Sequence, residues 1–105
     1  MAPQQNPMPI PERVRLVIAL TEVNSRYLRG ENRCAGAEIE LACALACEKR
    51  DGATPERTQD IVQLRARLNA SENELLAIEA ERDWLENALA NFDTVESGKK
   101  PGAFQ

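Results

Sequence analysis

The sequence predicts an all-α protein, a long antiparallel two-helix hairpin that packs like a coiled coil and has extended N- and C-terminal tails. Three observations support this fold class. Alanine, leucine and glutamate dominate the chain and aromatic residues are scarce, which is typical of long helices. Two long stretches lack proline and are separated by turn residues. Both stretches repeat apolar residues at alternating spacings of three and four.

The two ends of the chain are predicted to be extended. Four of the six prolines lie in residues 1–11, and proline interrupts a helix because it lacks a backbone N–H. Residues 97–105 contain two glycines and a proline. We therefore expect a proline-rich N-terminal tail at 1–11, a helical hairpin at 12–96 and a C-terminal tail at 97–105.

The hairpin is predicted to contain helices at about 12–50 and 55–95, joined by a turn at 51–54. Gly52 can adopt the left-handed conformation that ends a helix. Thr54 is a good N-cap for the second helix. So short a turn makes the two helices antiparallel neighbours. A coil of two separate chains would show the same spacing, but the turn residues favour a single chain.

Each predicted helix carries one continuous seam of packing residues. On the first helix the seam comprises Leu16, Leu20, Val23, Tyr27, Gly30, Cys34, Ala37, Leu41 and Ala44. On the second it comprises Ile61, Leu64, Leu68, Ser71, Leu75, Ile78, Arg82, Leu85, Leu89 and Phe92. Folding at the turn places small residues such as Gly30 opposite large ones such as Leu75, which permits close packing. Acidic residues within 72–96 then face arginines within 13–33, and the signs reverse near the turn.

Residues 28–36 interrupt the regularity of the first helix. Gly30 and Gly36 each cost a helix about 1 kcal/mol relative to alanine. A break near Gly30–Gly36 is the alternative, and it would give three helices. Because the spacing of the seam continues through this segment, we expect one continuous helix, in which these glycines allow a kink.

The cysteines are interpreted as packing residues. Cys43 and Cys47 are four residues apart on one helix face, but a tetrahedral zinc site needs four ligands. Only Cys34 remains as a further thiol, and the chain contains no histidine. Buried cysteine behaves as a small apolar residue. We therefore predict neither a metal site nor a cofactor.

Composition also narrows the function. The absence of histidine removes the commonest general base, no glycine-rich phosphate loop occurs, and a hairpin offers no cleft, so we expect no enzymatic activity. The net charge of -4 argues against nucleic-acid binding. No apolar run approaches the roughly 18 residues of a membrane span. We expect a protein located in the cytoplasm or within a particle assembled there.

Apolar residues beyond the seam predict a protein partner or a homo-oligomer. The interface candidates are Ile18, Leu28, Ile39 and Cys43 on the first helix and Trp84 on the second. The expected function is a non-enzymatic structural or assembly subunit that binds other protein subunits through its hairpin and tails; a small virion component is one such protein. The alternative is a small acidic regulatory binder or inhibitor of a host or partner protein.

Overall fold

The computed structural model describes residues 10–96, which form two long helices packed against each other. Helix α1 spans Glu12–Asp51 and helix α2 spans Pro55–Glu96. The two helices contact each other, so the predicted all-α hairpin is confirmed. At 1.5 Å per residue each helix is about 60 Å long. The predicted tails lie outside the described residues, apart from residues 10 and 11.

Helix α1 is continuous through the glycine-rich segment, and the alternative of a break at Gly30–Gly36 is wrong. Gly30 is buried, and a Cβ atom there would lie 2.9 Å from Cδ1 of Leu75. The missing side chain therefore admits Leu75 to the seam, as the predicted register requires. Gly36 is exposed, and a Cβ atom there would have no neighbouring side chain of residues 10–96 within 4 Å.

Hydrogen bonds at the end of α1 and at the start of α2 stabilise the turn between the helices. Gly52 has φ +93° and ψ 159°, a more extended conformation than the compact left-handed one predicted, and its N–H donates to the carbonyl of Glu48 at 2.8 Å. Thr54 Oγ1 accepts a 3.1 Å hydrogen bond from the N–H of Arg57, which confirms the predicted N-cap. The Arg57 guanidinium donates to the carbonyls of Asp51 and Gly52, at 3.4 and 2.7 Å. These bonds satisfy carbonyl groups that the end of a helix leaves without partners.

The core of the hairpin is the predicted seam. Every seam residue is buried or half-buried. The most buried side chains are Val23, Ala37, Leu41, Ile61, Ile78 and Leu85. Towards the open end of the hairpin both helices supply large residues, and Val23, Ile78 and Leu85 form one cluster there. Towards the turn α1 supplies the small residues Gly30 and Ala37, so the larger side chains of α2 fill the space.

Ion pairs across the helices confirm the predicted register. The pairs are Arg13 with Asp93, Arg26 with Glu81, Arg33 with Glu74, and Glu40 with Arg67. They step along both helices at the same pace in opposite directions. The base lies on α1 in the first three pairs and on α2 in the pair nearest the turn, which is the predicted reversal of sign. Exposed pairs of this kind contribute less than about 1 kcal/mol each, so they specify register more than they stabilise.

Candidate interaction surfaces

Polar side chains in the described range form no obvious chemical centre. Within residues 10–96 no group of three or more His, Cys, Asp or Glu side chains is arranged to hold a metal ion. The depressions on the hairpin are open grooves, most of them between side chains of the two helices and one along α1 alone. One of them is lined by Arg26, Arg29 and Arg33 together with Glu74 and Glu81. The prominent features are four extended surfaces. Two of them face away from the opposite helix, and two run along the edges of the seam.

The first surface is the side of α1 that points away from α2. We define the outer face of α1 as Val14, Ile18, Thr21, Ser25, Leu28, Asn32, Ala35, Ile39, Ala42 and Ala46, which repeat at the spacing of the seam on the opposite side of the helix. All of these residues are exposed and none is charged. The predicted interface residues Ile18, Leu28 and Ile39 belong to this face, and Ile39 is 63 % exposed. A helix that is apolar on opposite sides is usually buried on both.

The second surface is the outward side of α2. We define the outer face of α2 as Gln59, Gln63, Ala66, Ala70, Asn73, Ala77, Ala80, Trp84, Asn87, Asn91 and Thr94. All are exposed and none is charged, and small residues flank the one large side chain, Trp84. Trp84 is 66 % exposed, so α1 does not cover its indole. Leu76 and Val62 are also exposed and lie along one border of this face.

Four of the five predicted interface residues therefore lie on these two surfaces, with Ile18, Leu28 and Ile39 together on the outer face of α1. Trp84 lies on the outer face of α2, on the other helix from the α1 candidates. Cys43 is exposed and lies beside the outer face of α1. It does not pack within the hairpin as a seam residue would, because it falls between the seam positions Leu41 and Ala44.

The remaining cysteines are half-buried. Cys34 lies on the seam, where burial and then the nearby carboxylates of Glu72 and Glu38 raise the pKa of its thiol. Cys47 is near the turn and donates a 3.5 Å hydrogen bond to the carboxylate of Asp51. Hydrogen bonds from Arg50 and then from Cys47 lower the pKa of Asp51.

One edge of the seam, which we call the paired edge, carries alternating charges. It contains the ion pairs Arg26–Glu81, Arg33–Glu74 and Glu40–Arg67. The Arg26 pair has an Nη2 to Oε2 distance of 2.7 Å, and this hydrogen bond raises the pKa of Arg26. Bases and acids balance along this edge.

The opposite edge, the acidic edge, carries Glu31, Glu38, Glu72 and Glu79 around two seam residues. The hydroxyl of Tyr27 donates to Glu79 at 3.2 Å, and the Arg82 guanidinium lies 4.1 Å from the centre of the Tyr27 ring. Burial, and then the hydrogen bond to Glu79, raise the pKa of Tyr27, and the charge of Glu31 acts in the same direction. Carboxylates thus outnumber bases on this side of the hairpin.

The sequence analysis identified apolar residues on both outer faces but did not identify the property that distinguishes these faces. That property is the absence of charge along the positions farthest from the seam, although 29 % of the chain is charged. Counting charges by position in the seven-residue repeat, instead of along the chain, would have revealed it.

Comparison of the chain with protein-family models, curated proteins and solved structures finds no match. Neither described helix, α1 or α2, is apolar enough over a sufficient length to cross a membrane. The fold and its exposed apolar residues therefore carry the functional argument, and they suggest protein partners.

Proposed function

We propose that this protein is a non-enzymatic structural or assembly subunit that binds other protein subunits through the outer faces of its hairpin. It would act in the cytoplasm or in a particle assembled there, of which a virion is one kind. The observation that carries the proposal is the run of exposed, uncharged residues along the outer faces of both helices, from Val14 to Ala46 and from Gln59 to Thr94. The tails at 1–11 and 97–105 would add contacts with the same partners.

The energetics of a hairpin support this function. Two helices in contact bury one face each, and domains of this size are marginally stable unless a further element covers them. The outer faces offer that further burial, since Ile18, Leu28 and Ile39 expose half or more of their surface. Covering such side chains contributes roughly 25 cal/mol for each Å² of apolar surface removed from water. A helix or sheet of another subunit packed on α1 would supply this cover.

The proposal is tested by placing charge on the outer face of α1. The full chain with Ile18→Asp and Ile39→Asp is compared with a control that adds two aspartates elsewhere, Asn24→Asp and Thr58→Asp; all four positions are exposed. Extracts of the source cells or particles are fractionated by sedimentation, and neighbours are identified by crosslinking. Wild type and control should sediment with defined partner subunits. The Ile18→Asp/Ile39→Asp chain should sediment without those partner subunits, with unchanged helix content by circular dichroism.

Two results would contradict this function. Wild-type protein that sediments only at the mass of the isolated chain would show that it is not a subunit. Complexes with other subunits that retain the Ile18→Asp/Ile39→Asp chain would show that the outer face of α1 is not the surface that binds them.

The acidic edge favours a second candidate function, a regulatory binder that presents carboxylates to a basic groove. Glu31, Glu72 and Glu79 lie together near Tyr27 and Cys34, and no base among residues 10–96 forms an ion pair with them. Salt concentration separates the two functions, because exposed charge pairs are screened and apolar contacts are not. Affinity for the partner that collapses between low and high salt would support the binder, and affinity that persists would support the subunit.

A further inference from the structure

We infer that the outer face of α2 binds a second copy of the same chain, with the two α2 helices antiparallel across a two-fold axis beside Leu76. This inference specifies one partner of the proposed subunit and rests on that function. The resulting dimer is a layer of four helices, ordered α1, α2, α2 and α1. A contact of this kind uses the same surface on both copies and closes on itself.

Size complementarity supports this arrangement. Across the proposed axis the facing pairs are Trp84 with Ala66, Ala70 with Ala80, and Asn73 with Ala77. The indole of Trp84 is exposed in the isolated hairpin and would lie over the small side chain of Ala66 in the second copy. Alanines at the other positions let the two backbones approach closely, as Gly30 does within the hairpin.

Charge complementarity supports the same register. Along the borders of the contact Leu76 meets Leu76, Val62 meets Ala90, and Arg67 meets Glu81 of the second copy. Arg67 already binds Glu40, and Glu81 already binds Arg26. On each side of the axis, the Arg67–Glu40 pair of one copy and the Glu81–Arg26 pair of the other would therefore form one network of alternating charges. Glu74 would lie near Glu74 of the second copy, but each is already bound to Arg33 at 2.8 Å.

The outer face of α1 is less suited to an antiparallel contact with a second copy. An antiparallel contact centred on its uncharged residues would place Arg29 near Arg29 and Glu31 near Glu31 of the second copy, and neither residue has an ion-pair partner among the described residues. Like charges that face each other oppose association. The two outer faces thus differ in role: α2 binds a second copy, and α1 is left for another subunit.

Crosslinking of the full chain tests the axis. In a background with Cys34, Cys43 and Cys47 replaced by alanine, a single cysteine is introduced by Leu76→Cys or by Ala90→Cys. Leu76 lies at the axis, whereas Ala90 lies roughly 20 Å from it, so its two copies would be about 40 Å apart. A short bismaleimide should link Leu76→Cys chains and leave Ala90→Cys chains unlinked, and combining Val62→Cys with Ala90→Cys should restore the link. Equal linking at both single positions would show a parallel contact and overturn the inference.

Sedimentation equilibrium of the full chain tests the surface. We expect a monomer–dimer equilibrium that Ala80→Arg or Trp84→Ala weakens by about tenfold or more. Arginine at position 80 would not fit between closely packed backbones, and a tryptophan anchor contributes much of the affinity of an interface. Ala35→Arg is the matched control, since Ala35 is an exposed alanine on the outer face of α1 and should leave dimerisation unchanged. A wild type that remains monomeric, an Ala80→Arg chain that dimerises normally, or an open-ended series of larger species would each overturn the inference. A monomeric wild type would still leave the Ile18→Asp/Ile39→Asp test of the proposed function intact.

Discussion

Leu75 and Leu76 are neighbours in the chain, yet Leu75 is half-buried on the seam while Leu76 is exposed on the far side of α2. Glycine shows the same contrast, since Gly30 is closed in by Leu75 and Gly36 is open to solvent. Inward and outward positions of this protein are therefore not distinguished by apolar against polar residue types. Apolar and small residues occupy both, and charges are concentrated along the edges.

An isolated hairpin would normally reverse this pattern and place its charges on the outward faces. The arrangement seen here fits a layer that is covered on both sides. The inward positions should therefore control the stability of the hairpin, and the outward positions should control its associations.

The largest effect on stability is expected from one substitution, leucine to alanine, made at an inward and at an outward position of α2. Leu85 is 6 % exposed on the seam, and Leu85→Ala should lower the free energy of unfolding by about 2–4 kcal/mol, because it leaves a cavity beside Val23 and Ile78. Leu76 is 62 % exposed, and Leu76→Ala should change the same quantity by less than about 0.5 kcal/mol. Urea titration followed by circular dichroism measures both.

These titrations are run at concentrations where the chain sediments as a monomer, so that loss of a dimer does not enter the comparison. Equal destabilisation by the two substitutions would show that Leu76 is covered within one chain. That outcome would remove the distinction between seam and outer face on α2.

Substitution of the glycines should change the free energy of unfolding by a smaller amount. At the outward Gly36 the change should be stabilising. Gly36→Ala should raise the free energy of unfolding by about 0.5–1 kcal/mol, because alanine favours the helix and its Cβ meets nothing. Gly30→Ala should give no gain or a loss, since its Cβ would lie 2.9 Å from Cδ1 of Leu75.

A double-mutant cycle isolates this contact. With Leu75→Ala in place, Gly30→Ala should recover the gain expected from helix propensity, because the obstructing methyl group is gone. Thermal unfolding of the four chains of the cycle provides the measurement. If Gly30→Ala and Gly36→Ala stabilise the wild type equally, then close approach at Gly30 does not hold the seam.

The fold and register of this hairpin could be predicted from sequence because they depend on local rules. The spacing of the seam fixes which sides of α1 and α2 meet, and the N-cap at Thr54 fixes where the chain folds back. The bonds from Arg57 to the end of α1 could not be predicted, since a long side chain has many rotamers and the sequence does not say which carbonyl groups it reaches. The extended ψ of Gly52 could not be predicted either, because glycine adopts several conformations at positive φ without steric cost.

The candidate surfaces were predictable only in part. Trp84 and Ile39 could be placed off the seam from spacing alone. The exposure of Cys43 agrees with its predicted place beyond the seam, but its interpretation as a residue that packs within the hairpin was wrong, because an alanine-rich run gives a weak signal for which small residues face inward. The molecule that covers an outward face is also determined by the partner's own surface. The sequence of one chain indicates that molecule only through the size and charge of the residues on the face.

Alkaline pH should weaken the hairpin through Tyr27, whose phenol reaches from the seam to the acidic edge. The folded state raises the pKa of Tyr27 above its ordinary value of 10.0, chiefly through burial and the hydrogen bond to Glu79. The folded chain then retains a proton that the unfolded chain loses, so this contribution is complete below about pH 10 and disappears as the pH rises through the raised pKa. Urea titrations between neutral and alkaline pH should show the loss.

Tyr27→Phe is the control, because it removes the titrating group and should flatten this part of the pH dependence. The chain also carries Cys34→Ala, since the raised pKa of Cys34 acts in the same direction from an ordinary value of 9.0. An unchanged slope in the Tyr27→Phe chain would assign the alkaline loss to other groups.

The smallest expected effect is kinetic and compares an inward with an outward cysteine. Cys34 is half-buried, and burial together with Glu72 and Glu38 raises its pKa, so at mildly alkaline pH it should react with a maleimide more slowly than the exposed Cys43. Mass spectrometry of timed samples assigns the label to each position, and the rates should converge in urea. Glu72→Gln should speed labelling of Cys34 and leave Cys43 unchanged, because it removes one of the charges that disfavour the Cys34 thiolate. If Cys34 is labelled as fast as Cys43 in the folded chain, then the seam is open at Cys34 and the division between inward and outward positions fails on α1.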